Sequence, residues 1–228
     1  MMNSFLKNYS LIGLLLLAAC SQPPPDKPVE TFVEGYDQLL PGSKAEQWAA
    51  WLPPLDAGIL EVNYFFAYPC PHCFSFQPVL DNWLQSSKPE NVRLRKIPVG
   101  LLPDWVDHAR LYHVAQAKGF AKAMHQPLLN AIHSDKPALK AEDLAQFAVP
   151  WANKVGLGAS QQQIQEWMES DTVTEAILQD NKLIRAFGLK ATPIMVLRYL
   201  VGDEYHYYRI TNKTAKPQGG IIPVLKTL

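Results

Sequence analysis

Two cysteines with two residues between them follow a strongly apolar segment, in the motif Cys70-Pro71-His72-Cys73. The preceding segment, Ile59–Tyr68, is rich in Ile, Val, Tyr and Phe, which predicts a β-strand. After the motif, residues 74–85 place apolar side chains at helical spacing, with Pro78 expected to kink the helix. This order predicts a strand, then a helix whose first turn carries two thiols close enough to form a disulfide.

The start of a helix changes the chemistry of a thiol placed there. Its backbone N–H groups are unpaired and carry partial positive charge, so they stabilise a thiolate and lower the pKa of Cys70. A helix terminus contributes only about 0.3–1 kcal/mol at an exposed site, so His72 is expected to add a charge or a hydrogen bond. We expect the Cys70 thiol to point outward and Cys73 to lie partly beneath it. A stable thiolate leaves easily and favours the reduced pair, which predicts redox chemistry tuned by Pro71 and His72.

A Cys-X-X-Cys motif by itself is also compatible with a structural cysteine pair or with half of a metal site. The sequence contains three cysteines, and Cys20 is the only one outside the motif. A structural zinc site needs four ligands, and the sequence has neither a second cysteine pair nor a clustered histidine pair to complete one. We therefore predict no metal ion and no cofactor other than a redox-active disulfide between Cys70 and Cys73.

The composition excludes two classes of protein. Hydrophobic residues make up 48% of the 228 residues and charged residues 18%, which supports a folded core and argues against disorder. The 21 Lys and Arg residues balance the 21 Asp and Glu residues, so no surface for nucleic acid is expected. Scattered histidines are interpreted as surface residues or satisfied core residues: His108, His113, His125 and His133. The function is therefore expected to reside in a local site.

The N-terminus has the pattern of an export signal. Its apolar run, residues 11–17, is shorter than the roughly 20 residues needed to span a bilayer. The run ends in Leu17-Ala18-Ala19-Cys20, which resembles the lipobox of bacterial lipoproteins. Residues 1–19 are thus predicted to be a signal peptide and Cys20 the lipidated first residue, with an ordinary signal peptide as the alternative. Residues 20–34, with four prolines, are predicted to form an extended tether in an oxidising compartment.

The rest of the sequence alternates between strand and helix patterns. A second strand is predicted at 91–99, and a strand hairpin at 194–201 and 205–210 around Gly202-Asp203. Helices are predicted between them, at 104–118, 121–133, 142–154, 161–168 and 172–187. Weaker elements are an edge strand within 35–41, a helical turn within 44–52 and a short helix or irregular tail at 218–228. The predicted fold is α/β, with 35–102 and 188–228 in one domain and 103–187 as a large helical insertion.

The segment Phe65–Cys73 resembles the DsbA family of thioredoxin-fold disulfide oxidases, whose hallmark between the two cysteines is Pro-His. The resemblance extends from Gly35 to the C-terminus and implies a thioredoxin fold with a helical insertion. It implies a Cys70 thiol of low pKa and a strongly oxidising disulfide that is donated to reduced exported proteins. Thr192-Pro193 fits the family's cis-proline loop, which offers backbone groups to an extended substrate; a trans proline at a strand start is the alternative.

Three features depart from the family pattern. The best-studied members have a buried glutamate six residues before the first cysteine, where this sequence has Tyr64. Lys96 fits the lysine usually paired with that glutamate, so Tyr64 or Glu61 is predicted to replace it in a buried proton relay under Cys73. Thr192 stands where many oxidases have valine, and threonine is commoner there in the isomerase relatives DsbC and DsbG. The C-terminal helix also looks truncated.

The departures leave three functions open. An oxidase is favoured over an isomerase or reductase because the isomerases carry an N-terminal dimerisation domain, for which residues 20–36 are too short. A lipoprotein that handles metal through the dithiol is the third alternative. As an oxidase, the protein is expected to need a DsbB-like membrane partner for reoxidation. Ser21 after the lipidated cysteine favours the outer membrane, on its periplasmic side, over the inner membrane.

Overall fold

A mixed sheet of six strands forms the centre of the described part of the chain. The computed structural model describes residues 29–33, 35–40 and 45–226, so the predicted signal peptide, Cys20 and the proline-rich part of the tether lie outside the described residues. In chain order the strands are β1 (Val29–Val33), β2 (Tyr36–Leu40), β3 (Leu60–Phe66), β4 (Val92–Pro98), β5 (Ile194–Val201) and β6 (Glu204–Thr211). Their order across the sheet is β1-β2-β6-β5-β3-β4, with β3 and β4 parallel and the other neighbours antiparallel.

Strand β1 corrects the predicted tether. Residues 29–33, predicted as part of the tether 20–34, pair antiparallel with β2. Their sequence, Val-Glu-Thr-Phe-Val, is rich in β-branched and aromatic residues that favour strands, and Gly35 at φ +92° forms the tight turn to β2. The edge strand predicted within 35–41 is therefore present but lies inside the sheet, with β1 at the edge.

The predicted unit of strand, motif and helix is confirmed. β3 is buried along its length after Leu60, because its side chains are covered on both faces of the sheet. A short helix, α1 (Ala45–Ala50), precedes β3. Helix α2 follows β3, spans Pro71–Ser86 and continues past Pro78. Pro71 is tolerated at the first helical position because the N–H group that it lacks would be unpaired there. β4 then returns parallel to β3, as a crossover through a helix allows.

The predicted helical region between β4 and β5 is confirmed. Its helices are α3 (Pro103–Lys118), α4 (Ala121–His133), α5 (Leu144–Lys154), α6 (Gln161–Met168) and α7 (Asp171–Ala186). Their ends differ from the prediction by at most two residues, and the largest difference arises because residues 141–143 form a short 3-10 turn before α5. Ser160 and Ser170 begin α6 and α7 by accepting hydrogen bonds from the backbone N–H groups of Gln163 and Val173.

The C-terminal part completes the sheet. β5 and β6 form the predicted hairpin, with Val201 paired to Glu204 across the turn. The chain continues into α8 (Asn212–Ala215), a 3-10 turn (Lys216–Gln218) and α9 (Ile221–Leu225), so a short helix is present within the predicted tail. None of the helices in the described ranges is both long enough and apolar enough to span a bilayer.

The two faces of the sheet carry different groups. Side chains three apart in a strand point to opposite faces, so Glu61 and Tyr64 of β3 lie on opposite sides. Glu61 is paired in register with Arg198 of β5. Tyr64 lies on the side covered by α2, where its ring contacts Phe76, and it is paired in register with Lys96 of β4.

Candidate active site

The motif lies at the junction of β3 and α2. Cys70 is the N-cap residue of α2, with φ −80° and ψ 115°, and its carbonyl accepts hydrogen bonds from the N–H groups of Cys73 and Phe74, each at 3.1 Å. Both cysteines are free thiols, and 5% of Cys70 and 1% of Cys73 remain exposed. The expected order of exposure is confirmed, but Cys70 is more covered than predicted because the Thr192 backbone lies against its sulfur.

Hydrogen bonds lower the pKa of the Cys70 thiol to about 5. The largest cause is the hydrogen bond from the Cys73 thiol; burial opposes it, while the adjacent Thr192 side chain and the backbone N–H groups of Cys73 and His72 add to it. The His72 ring is exposed and forms no hydrogen bond with the described residues. His72 therefore acts on Cys70 through its backbone, whereas the prediction also allowed for its side chain.

Cys73 has the opposite character. The hydrogen bond to Cys70 and burial raise the pKa of Cys73 well above its ordinary value. Burial and the neighbouring Cys73 thiol likewise raise the pKa of Tyr64. The Tyr64 hydroxyl is buried and has no hydrogen-bond acceptor or donor within ordinary distance among the described residues. Tyr64 thus lies close enough to Cys73 to feel its charge, and both groups stay protonated at neutral pH.

Glu61 does not lie beneath the motif. Its Oε1 atom accepts a hydrogen bond of 2.8 Å from Nε of Arg198, on the face of the sheet opposite Tyr64. The prediction that Glu61 could enter the relay is wrong, because side chains three residues apart in a strand point to opposite faces. Lys96 lies on the Tyr64 face, and burial lowers its pKa to about 8, although Asp81 opposes that shift.

The loop before β5 lies against the reactive thiol. The Thr192–Pro193 peptide bond is cis, as predicted. The next residue, Ile194, pairs with Phe65 near the end of β3, which brings the loop to the motif. The carbonyl oxygen of Thr192 lies 3.5 Å from Sγ of Cys70. Backbone groups of this loop are therefore adjacent to the sulfur that an incoming thiol would reach.

Two histidines of α4 hold Tyr68, the residue two positions before Cys70. Oη of Tyr68 lies 2.8 Å from Nδ1 of His125, and its carbonyl oxygen lies 2.7 Å from Nε2 of His133. The His133 ring also stacks on Phe74, with ring centroids 4.8 Å apart. Burial lowers the pKa of His125 to about 3, so this ring is neutral and accepts the Tyr68 hydroxyl. The prediction of satisfied histidines is confirmed, but their link to the motif was missed.

A chain of hydrogen bonds continues from His125 along α2. Nε2 of His125 lies 3.0 Å from Oε1 of Gln77, and Nε2 of Gln77 donates to Oδ1 of Asp81 at 2.7 Å. Gln77 and Asp81 follow Cys73 at four-residue intervals, which puts all three on one face of the helix. Gln77, Asp81, His125 and Lys96 line a groove of about 1090 Å³. Polar groups thus lead from beneath the motif to this groove, and Gln77 and Asp81 were not predicted.

Comparisons with known proteins agree with the fold and identify the family. A family model described as a DSBA-like thioredoxin domain matches residues 61–206. The chain is 27% identical over 156 residues to the thiol:disulfide interchange protein DsbA of Burkholderia cepacia, and this alignment covers 65% of this chain and 68% of that protein. A crystal structure of a Pseudomonas aeruginosa DsbA variant is similar, with a TM-score of 0.63, 22% identity and coverage of 86% and 94% of the two chains. The structure of Proteus mirabilis DsbA with a non-covalently bound peptide, PWATCDS, gives a TM-score of 0.55 at 19% identity, and the match covers 81% of this chain and 86% of that one.

Proposed function

The chain belongs to the DsbA-like thioredoxin family of thiol:disulfide oxidoreductases, and we propose that it donates a Cys70–Cys73 disulfide to exported proteins during oxidative folding. The asymmetry of the two thiols carries the proposal, because the pKa of Cys70 is lowered to about 5 and that of Cys73 is raised. At neutral pH the reduced pair therefore holds a thiolate on Cys70. Stabilising this thiolate favours the reduced pair, which makes the disulfide an oxidant.

The reaction transfers two electrons from a substrate dithiol to the enzyme disulfide. A substrate thiolate attacks Sγ of Cys70, the Cys70–Cys73 bond breaks, and Cys73 leaves with the electron pair and takes up a proton. The second substrate thiolate then attacks the substrate sulfur of the mixed disulfide. Cys70 leaves as a thiolate, which its low pKa favours, and the substrate keeps the new disulfide.

The proton taken up by Cys73 passes through its buried surroundings. Tyr64 lies beside Cys73, and Lys96 lies in register with Tyr64 with a pKa of about 8. Lys96 thus exchanges protons near neutral pH and also lines the groove that Asp81 and Gln77 reach. In this proposal Lys96 supplies the proton from the groove, and Tyr64, which stays protonated, occupies the position of the usual glutamate beside Cys73.

The substrate is an extended, reduced polypeptide. Leu101 and Leu102 follow β4 and are 41% and 50% exposed. A hydrogen bond of 2.7 Å from N of Val99 to O of Phe66 holds the end of β4 to the end of β3, next to the motif. These apolar side chains suit an unfolded chain, and Thr192 and Pro193 supply the backbone that aligns it. The peptide bound to Proteus mirabilis DsbA supports this class of substrate.

One observation favours the alternative of an isomerase or reductase. The buried Thr192 side chain lies beside both thiols and opposes part of the rise in the pKa of Cys73, although its hydroxyl has no hydrogen-bond partner among the described residues. A polar side chain at this position suits a protein that reshuffles disulfides, in which the second thiol must also react. The metal-handling alternative has no such support, since among the residues that the structure describes no three His, Cys, Asp or Glu side chains cluster to hold an ion.

The proposal includes the cellular setting. The N-terminal signal and the lipobox support a periplasmic protein anchored through lipid on Cys20, with Ser21 favouring the outer membrane. A DsbB-like membrane protein then reoxidises the Cys70–Cys73 dithiol. Metabolic labelling with a radioactive fatty acid tests the anchor: label is expected on the parent protein and is lost in Cys20→Ser, whereas an equally labelled variant contradicts the assignment.

Oxidative refolding of a reduced, inactive substrate enzyme tests the activity. The oxidised protein, with Cys20→Ser to remove the third thiol, is expected to restore the activity of the substrate enzyme. Each molecule of the protein is expected to transfer one disulfide. Cys70→Ser is expected to abolish transfer, while Ser75→Ala, an exposed change on the same helix, leaves it unchanged. Equal transfer by Cys70→Ser and its parent contradicts the proposal. A protein that rescues only substrates with scrambled disulfides is an isomerase instead.

A further inference from the structure

Four aromatic side chains form a half-buried row on the sheet. We call this row the tyrosine face: Tyr36, Tyr199, His206 and Tyr208. The Tyr199 ring stacks on Tyr208 at 5.8 Å and 1° between planes, and on His206 at 5.3 Å and 12°. Tyr36 meets Tyr208 edge-on at 5.0 Å. The three tyrosines line a pocket of about 290 Å³ whose other walls are mainly apolar.

The hydroxyl groups of this face can offer a hydrogen bond to a bound segment. Oη of Tyr199 and Oη of Tyr208 lie 3.2 Å apart, so one hydroxyl donates to the other and the remaining hydrogen is free to donate outward. Stacked aromatic rings with an outward hydroxyl donor are the usual binding surface for proline-rich segments. Proline rings pack on such rings, and a polyproline II chain presents carbonyl oxygens without competing N–H donors.

The chain itself supplies such a segment at the right place. Residues 23–28, Pro-Pro-Pro-Asp-Lys-Pro, directly precede β1. Val29, the first residue of β1, pairs with Leu40 of β2. The preceding residue of β2, Leu39, pairs with Tyr207 of β6, so Leu40 and Val29 lie at the level of His206. Tyr199 pairs with His206 on the neighbouring strand, and therefore lies at the same level. The segment thus joins the sheet at the end that carries the stacked rings.

The length of the segment matches the distance to be crossed. From β1 to β5 there are three strand spacings, which is about 14 Å. Six residues in polyproline II conformation extend about 19 Å. Leu40, 40% exposed, lies on the same face between β1 and the tyrosine face and provides apolar surface along the path.

We propose that residues 23–28 dock on the tyrosine face of their own chain as a polyproline II segment. Docking covers the rings of Tyr199 and Tyr208, and the free hydroxyl donates to a prolyl carbonyl. The consequence is that the domain sits at a fixed distance and orientation relative to residue 20, which differs from the freely extended tether expected from composition. The inference does not depend on the redox function.

Nuclear magnetic resonance of the whole mature chain, residues 20–228 with Cys20→Ser, tests the docking. We expect nuclear Overhauser contacts between ring protons of Tyr199 or Tyr208 and proline side-chain protons of the segment. Replacing Pro23, Pro24 and Pro25 together by serine is expected to remove these contacts and to shift both ring signals. Ser21→Ala, two residues before the segment, is the matched control and leaves the contacts in place.

Each other outcome overturns the proposal. Ring signals that are identical in the triple serine variant and its parent show that the segment does not cover the face. Ring signals that change on dilution, with no contact to the prolines, show instead that a second copy of the chain occupies it. Because refolding activity is read separately, a failed docking test leaves the redox proposal unaffected.

Discussion

Replacing Cys73 by alanine is expected to raise the pKa of the Cys70 thiol by about 1–2 units. The hydrogen bond from the Cys73 thiol is the largest of the causes that lower this pKa to about 5. A hydrogen bond to a charged group contributes about 1.5–3 kcal/mol, and one pKa unit corresponds to about 1.36 kcal/mol. The backbone N–H groups of the helix start and the adjacent Thr192 side chain remain in the variant, so the pKa stays below the ordinary value of about 8.5.

The ultraviolet absorbance of the thiolate, recorded against pH in the reduced protein, measures this change. Cys73→Ser is the matched control, because its hydroxyl still donates to Cys70 while the second sulfur is absent. The serine variant is expected to titrate close to the parent and the alanine variant well above it. If the two variants titrate together near a pKa of 5, the backbone alone holds the thiolate and the reasoning about the Cys73 hydrogen bond is wrong.

The same pKa links the stability of the reduced protein to pH. An acidic group whose pKa is lower in the folded state stabilises the fold fully above its unfolded pKa, and this stabilisation is lost as the pH falls through its folded pKa. With a folded pKa of about 5 and an unfolded value of about 8.5, the free energy of unfolding gains about 2 kcal/mol between pH 5 and pH 7. The oxidised protein has no Cys70 thiolate, so a comparison of urea unfolding between the reduced and oxidised proteins isolates the contribution of the thiolate to stability. Parallel pH profiles for the two forms contradict the low pKa.

Three further changes test other parts of the structure. Glu61→Ala leaves the buried guanidinium of Arg198 unpaired and is expected to lower the free energy of unfolding by about 3–5 kcal/mol in urea; a changed redox potential of the dithiol would mean that Glu61 does reach the motif. His133→Ala removes the hydrogen bond to Tyr68 and is expected to lower the free energy of unfolding by about 1–3 kcal/mol. His133→Gln, whose amide can still donate to the Tyr68 carbonyl, is expected to lose less. Lys96→Met removes a buried charge and is expected to raise the free energy of unfolding by up to about 3 kcal/mol at pH 7. Because burial lowers the Lys96 pKa to about 8, this gain in stability shrinks as the pH rises from 8 through the ordinary value of about 10.4. A gain in stability that does not depend on pH contradicts the lowered pKa of Lys96.

Local sequence patterns were sufficient for most of the fold. Strand β3, helix α2 and the helices between β4 and β5 follow from periodicity and helix-start residues, which are properties of adjacent positions. Strand β1 was missed because the run of prolines before it dominated the interpretation of residues 20–34, although four of the five residues 29–33 are of types that favour strands. The error over Glu61 was avoidable, since Glu61 and Tyr64 cannot point to the same side of one strand.

The supporting contacts of the site depend on distant residues. His125 and His133 are 57 and 65 positions from Tyr68, and no local pattern connects them. Likewise, the motif alone pointed to helix-start N–H groups as the stabilising force, whereas the largest effect on Cys70 is a hydrogen bond from Cys73. Such effects arise only when the side chains are brought together by packing, so the strength of the oxidant could not be read from the order of the residues.

The equilibrium between the Cys70–Cys73 dithiol and glutathione tests the central claim most directly. A Cys70 pKa of about 5 stabilises the reduced pair. The couple is therefore expected to be more oxidising than about −200 mV, clear of the value of about −270 mV that is typical of a reducing thioredoxin. A measured potential at or below about −270 mV would contradict the oxidase and identify the protein as a reductase of the same fold.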